Sequence, residues 1–250
     1  MHIVMVSPEC APVAKAGGLG DFVHGLSREL AVRGNDVDII LPKYDVLRFD
    51  RIRDMHKIHR DLWVPFYDQA IHCDVEYGEA DGLKCWFIDA HSQHRFFNRG
   101  KIYGDADDQD RFAFFSRAVM EFLLMSGKRP DIIHCNDWQT GLVPVLLYEV
   151  YAGLGMGNSR VCYSLHNMGH QGWTGRHVLH MNRLDVGRLM TPERLQDPGN
   201  PHEVNLMKGG IVFSNFVTTV SPRYAWEIQH TEQGKGLQGV LLANDAKFGG

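Results

Sequence analysis

With 250 residues, 44% of them hydrophobic and 22% charged, the chain has the composition of an ordinary globular protein and is long enough to bury a substantial core. A net charge of -4 and a pI near 6.4 exclude an electrostatic case for nucleic-acid binding, while leaving small anionic ligands open through local positive potential. The first apolar run, Ile3 to Val6, is too short for a signal-peptide core and no later run approaches a membrane span, so the expected location is cytoplasmic, with no membrane partner.

Ile3 to Val6 reads as a first strand, and an amphipathic helix is predicted from Asp21 to Arg33, with Val23, Leu26 and Leu30 on one face and Gly34 at the left-handed stop. Lys15-Ala-Gly17-Gly18-Leu-Gly20-Asp21 joins them. Glycines there permit positive φ and close approach of a ligand to backbone N–H groups, the helix start adds partial positive charge, and Lys15 adds a full one. The stretch therefore reads as a phosphate cradle or, more plainly, as a tight strand-to-helix turn. The dinucleotide pattern lacks its third glycine, and the Walker pattern places its lysine after the glycines.

Val37 to Leu41 follows as a strand. Trp63 to Tyr67, Ile71 to Tyr77 and Leu83 to Asp89 then alternate as a meander, an insertion or antiparallel edge, with Asp81-Gly82 as a hairpin turn. The acidic run Asp105-Ala-Asp107-Asp108-Gln-Asp110 reads as solvated charge; Asp110 stands where a calcium loop needs glycine. The strand–helix alternation resumes with a strand at Asp131 to Cys135, a helix near 138 to 151 and a strand at Arg160 to Leu165. A Gly- and Asn-rich excursion over 166 to 202 precedes a helix around 203 to 214, the strand Phe216 to Val220 and a helix capped by Ser221 and entered at Pro222. This order predicts an α/β fold, a Rossmann-like parallel sheet with helices on both faces, as a single domain.

Five widely spaced cysteines without a C-x-x-C pair indicate neither a disulfide framework nor a structural zinc site, and are expected reduced and mostly buried. His56, His59, His91 and His94 are read as structural.

Ligands of open parallel sheets bind beyond the strands' carboxyl ends, which makes the residues after each strand the informative ones. Four such ends are polar: Lys15 to Asp21, Asn136 to Gln139, His166-Asn167 with Gln171-Gly172, and Ser221-Pro222. They are expected to converge at one rim. Asp137 reads either as the N-cap of the next helix or as a site carboxylate, and Trp138 either as a core anchor or as a platform for an apolar sugar face. His166 and Asn167, directly after an apolar strand, read as site lining.

Lys15 to Asp21, Tyr103-Gly104-Asp105, Arg111 to Arg117, His134-Cys-Asn-Asp-Trp-Gln-Thr-Gly141, His166-Asn167 with Gln171-Gly172, Leu206-Met-Lys-Gly-Gly-Ile211 and Val220 to Ala225 resemble, in order and over nearly the whole chain, the bacterial glycogen synthase and plant starch synthase family. The resemblance implies the N-terminal, acceptor-side half of a GT-B glycosyltransferase that transfers glucose from ADP-glucose to the non-reducing end of an α-1,4-glucan such as glycogen or a maltooligosaccharide, with retention. His166 and Asp137 are thereby implied in catalysis, Lys15, Gly17, Gly18, Asp21 and Asn167 in donor binding, and Tyr103, Trp138 and Gln171 in sugar or acceptor binding.

No metal or other cofactor is implied, because positive groups and a helix start stabilise the departing ADP. Asp36-Val-Asp38 and Asp105-Ala-Asp107 only superficially match the D-x-D of the other glycosyltransferase fold. The chain departs from the family at Met168-Gly169-His170, where Leu-Ala-Tyr is common. Because the sequence stops near the family's interdomain hinge, the C-terminal nucleotide-binding domain is expected to be absent and the isolated chain inactive or weakly active. The alternatives are a non-catalytic glucan-binding or regulatory module and a nucleotide-dependent oxidoreductase.

Overall fold

The computed structural model describes residues 1–250. Its sheet strands are β1 (His2–Val6), β2 (Asp36–Pro42), β3 (Arg53–Phe66), β4 (Gln69–Ala80), β5 (Leu83–Ala90), β6 (Ile132–Asn136) and β7 (Arg160–Leu165), with a small pair, β8 (Trp173–Thr174) and β9 (Val204–Asn205), and then β10 (Phe216–Thr219) and β11 (Phe248–Gly249). The helices are α1 (Gly18–Val32), α2 (Asp108–Met125), α3 (Leu142–Leu146), α4 (His177–Met181), α5 (Val186–Leu189), α6 (Leu206–Phe213), α7 (Pro222–His230) and α8 (Gln238–Ala243).

Nine strands form one sheet in the order β11-β10-β7-β6-β1-β2-β5-β4-β3. From β11 to β5 every pairing is parallel, and β4 and β3 add an antiparallel edge. The predicted α/β sheet and its meander are thus both present. Asp81 and Gly82, with φ of 50° and 80°, make the two-residue turn between β4 and β5 that the right-handed strand twist favours. Gly34 takes φ 84° after α1, and Ser221 accepts the N–H of Tyr224 as the N-cap of α7.

Two expectations change, and one helix was not foreseen. Helix α2 carries little amphipathic signal because Arg111, Ser116 and Arg117 are buried along with Phe112, Phe114, Phe115, Val119 and Phe122, so polar and apolar positions share the interior. The acidic run before it is not solvated charge: Asp105 pairs with Lys101, Asp107 with Arg99, and Asp108 with Arg111, whose side chain is fully buried. The helix expected near 138 to 151 is broken into a short 3-10 turn, α3 and a π turn over Leu147–Tyr151. Gly141 lies at that break because the start of α6 crosses it: a Cβ there would stand 2.2 Å from the Leu206 carbonyl oxygen.

Helix α6 lies equally close to β7. A Cβ on Gly210 would sit 2.3 Å from the ring of Tyr163, which is fully buried and has no room to withdraw. Gly210→Ala is therefore expected to cost about 1–3 kcal/mol by overpacking, read as a lower urea midpoint; an unchanged midpoint would show that the ring yields freely.

All five cysteines are free and four are buried. No helix is long and apolar enough to cross a membrane.

Candidate active site

The sheet grows outward in both directions from β1, through β2 on one side and β6 on the other, so the chain following β1 and the chain following β6 part at a topological switch point. A cavity of about 690 Å³ opens at that point. Its wall contains Glu9 after β1, Asp137 to Gln139 after β6, His166, Asn167 and His170 after β7, and Val220 after β10; Gly17, Gly18, Leu19 and Phe22 from the start of α1 and Tyr103 from the loop before α2 close the sides. The predicted convergence of strand ends holds in part: the ends after β1, β6 and β7 meet in this wall, whereas Gln171-Gly172 and Ser221-Pro222 stay outside it.

Asp137 is the centre of this wall. Its backbone takes φ 55° and ψ -177°, a region that only glycine enters without strain, at a cost of about 1–3 kcal/mol. Three bonds hold it there: Asp137 N–H donates to Ser164 O at 3.0 Å, and Asp137 O accepts the Thr140 N–H at 3.1 Å and the Thr140 hydroxyl at 3.2 Å. The side chain makes no cap bond, so the N-cap reading of Asp137 does not hold. Instead Oδ1 accepts the N–H of His166 at 2.8 Å and of Asn167 at 3.4 Å, tying the β6 end to the β7 end.

Burial, reinforced by the charge of Glu9, pushes the Asp137 carboxyl up to about 7, although the two N–H bonds oppose the shift. The His166 ring packs edge-on against Phe22, with centroids 4.5 Å apart, and its Nε2 lies 3.2 Å from Asn136 Oδ1. Because Asn136 Nδ2 donates to Val6 O, Oδ1 is the acceptor toward the ring; His166 then carries its proton on Nε2 and keeps Nδ1 as an acceptor. Burial holds His166 down at about 4, and His134, bonded to Ser164 Oγ beneath it, also at about 4. The imidazole of His166 is neutral at pH 7.

These shifts act on stability in opposite directions. The two histidines favour the folded state above their unfolded pKa of about 6.5, and that contribution is lost as pH falls toward 4. Asp137, raised in the folded state, contributes stability below its unfolded pKa of about 4 and loses it as pH rises through 7. In wild type the two trends partly cancel between pH 7 and 4. Asp137→Asn removes only the offset, so its urea midpoint is expected to fall more steeply over that interval than that of wild type; parallel profiles would mean that Asp137 titrates as an ordinary carboxylate.

Glu9 was invisible as a site residue in the sequence. Its buried carboxylate accepts the N–H of Ala16 at 2.5 Å and of Gly17 at 2.8 Å through Oε2, and the Tyr103 hydroxyl at 2.7 Å through Oε1. This corrects the cradle expected of the glycine loop, since two of its N–H groups already face an internal anion. Gly18 and Leu19, at the first turn of α1, keep N–H groups without an intrahelical partner. Positive φ is not used either: Gly17 is extended and Gly18 and Gly20 are helical. Gly20 is tight against the Ala11 backbone, whereas Gly17 and Gly18 face open space.

The other expected residues divide. Tyr103, Trp138 and Asn167 line the cavity; Trp138 is at once platform and core, since its ring meets Phe112 edge-on. Lys15 and Asp21 lie outside the lining, exposed and paired with each other at 2.8 Å. Gln171 lies outside the lining, fully buried, donating to Met168 O and Lys235 O and accepting from Asn205 Nδ2. Phe22 and His170 were missed. His170 follows the His-Asn pair closely enough to have been found by extending the loop, while Phe22 looked like an ordinary face of α1.

The sheet, and a cavity at its switch point, define one Rossmann-like lobe of the GT-B glycosyltransferase architecture. The chain belongs to the starch synthase catalytic domain family, whose family model matches residues 2–243. A glycogen synthase 1 from Nitrosococcus oceani is 62% identical over 250 residues, covering 100% of this chain and 51% of that protein. A glycogen synthase 2 from Methylococcus capsulatus is 58% identical over 246 residues, covering 98% and 50%. The catalytic domain of starch synthase IV from Arabidopsis thaliana, solved bound to ADP and acarbose, matches with a TM-score of 0.98 at 44% identity, covering 100% of this chain and 50% of that one. The chain spans about half the length of the curated relatives it matches.

Proposed function

We propose that the chain forms the acceptor-side lobe of a glycogen synthase, which transfers glucose from ADP-glucose to the non-reducing end of an α-1,4-glucan with retention, without a metal, and that a second GT-B lobe completes the donor site. The observation that carries this reading is the Asp137–His166–Asn167 junction in the switch-point cavity, in a chain whose solved neighbour holds ADP and acarbose.

The chemistry follows from the electrostatics. Breaking the glycosidic phosphate bond leaves positive charge on the sugar and negative charge on the departing diphosphate. A neutral His166 accepts a sugar hydroxyl at Nδ1 without placing a cation beside the oxocarbenium-like carbon, and an ionised Asp137 favours that carbon. The first turn of α1 and Lys15 face the diphosphate, while Trp138 and Tyr103 supply the surface for glucose rings.

Label transfer from ADP-glucose to glycogen by the full-length protein tests the reading, with UDP-glucose as the comparison donor; binding of glucan with no transfer from either donor would assign a non-catalytic module instead. In the same assay Lys15→Ala is expected to raise the KM for ADP-glucose about tenfold with little change in kcat, because an exposed charge-assisted contact to phosphate is lost and the fold is untouched. Unchanged donor kinetics would remove Lys15 from the donor site.

A further inference from the structure

On the antiparallel edge, away from the cavity, two histidines and an aspartate meet. His91, just after β5, stands opposite His72 of β4: its N–H donates to His72 O at 2.9 Å, and the two imidazoles stack at 5.3 Å. Asp74 lies two residues further along β4, and its Oδ2 is 3.0 Å from His91 Nε2. One ligand atom from each of the three lies within 4.8 Å of the others. Asp61 of β3 adds a carboxylate oxygen 3.6 Å from His72 Nε2. None of these residues lines the cavity.

We propose that His72, Asp74 and His91 bind a late first-row divalent cation of the zinc type, as a structural clamp between β4 and the residue that follows β5. Two imidazoles with a carboxylate are the donor set of zinc, nickel or copper rather than of magnesium or calcium, which take oxygen ligands. A tetrahedral ion with ligands at about 2.0–2.1 Å needs donor atoms about 3.4 Å apart. The half-exposed imidazoles reach that spacing by rotating toward Asp74, which is buried and fixed. His72 gives up its bond to the Arg60 carbonyl, an exposed acceptor that water takes over. Asp61 or water completes the set.

The cluster already contains a cation. The Lys57 ammonium sits against the same Asp74 oxygen, so the carboxylate is organised around positive charge before any metal arrives. That places Lys57 in direct competition with the ion and separates this site from casual coordination by surface histidines. With Asp61 as the fourth ligand the clamp also reaches β3, whose pairing with β4 carries register shifts between Arg53 and Leu62.

Titration of tag-free protein with zinc chloride, followed by calorimetry, is expected to give one ion per chain and a raised thermal midpoint. His72→Ala and His91→Ala should each weaken binding by at least about tenfold, the lower end of what even a supporting partner of a ligand is worth, and Lys57→Met should tighten it. Cobalt(II) should give the intense visible bands of a tetrahedral ion, lost in the His72→Ala/His91→Ala variant. Unaltered stoichiometry and affinity in that double variant, or weaker binding in Lys57→Met, would overturn the assignment. None of these readouts depends on glucosyl transfer.

Discussion

Asp137→Ala is expected to lower the turnover proposed for the full-length protein by about two to three orders of magnitude, the range for losing a preorganised group that faces developing charge. The substitution removes two things at once. The charge facing the cavity disappears, and so does the Oδ1 acceptor that holds the N–H groups of His166 and Asn167 in place. Asp137→Asn separates them, since its amide oxygen keeps the acceptor and drops only the charge. The Asn variant should therefore lose kcat with near-normal KM for both substrates, and the Ala variant should in addition bind sugar poorly.

The pH profile carries the second half of this test. A carboxyl held at about 7 ionises across the neutral range, so the wild-type rate should rise as pH increases through 7. In Asp137→Asn that limb should be gone. An Asn variant with wild-type turnover and the same limb would mean that Asp137 serves only to position the β7 loop.

Glu9→Ala is expected to give the largest loss of stability among changes to this cavity. Three donors, Ala16 N–H, Gly17 N–H and the Tyr103 hydroxyl, lose their partner together. Ala16 and Gly17 are exposed, so water takes over as acceptor at their N–H groups, and the cost is set mainly by the half-buried Tyr103 hydroxyl, about 1–3 kcal/mol, which chemical denaturation reads directly. Glu9→Gln retains one acceptor oxygen and should lose roughly half as much. Both variants remove the like charge that helps to raise Asp137, so the limb near pH 7 should move toward acid. A destabilised variant whose limb stays at its wild-type position would leave Glu9 a purely structural role.

The parallel sheet was legible because buried strands and glycine-ended helices punctuate the chain, and the rule that ligands sit beyond strand ends picked out Asp137, Trp138, His166 and Asn167, which line one cavity. What escaped depends on long-range pairing. Whether Glu9 is solvated or buried is decided by a tyrosine 94 residues away. Gln171 has the composition of a site residue but spends its amide on Asn205 and two carbonyls, which no local pattern records. Arg111, charged and nominally a surface residue, anchors the Tyr103 loop through the carbonyls of Phe96 and Ile102 from within the core. Helix α2 was missed for the same reason: a helix buried on all sides shows no periodicity.

The turn between β1 and α1 is held from inside by Glu9, and so it does not wait for a ligand to take its shape. Glycines are the residues that lose most conformational freedom on ordering, and in this loop that loss is borne when the chain folds. A molecule arriving at Gly17 and Gly18 finds the backbone already in position, with space beside it, and its affinity is not spent on ordering the loop.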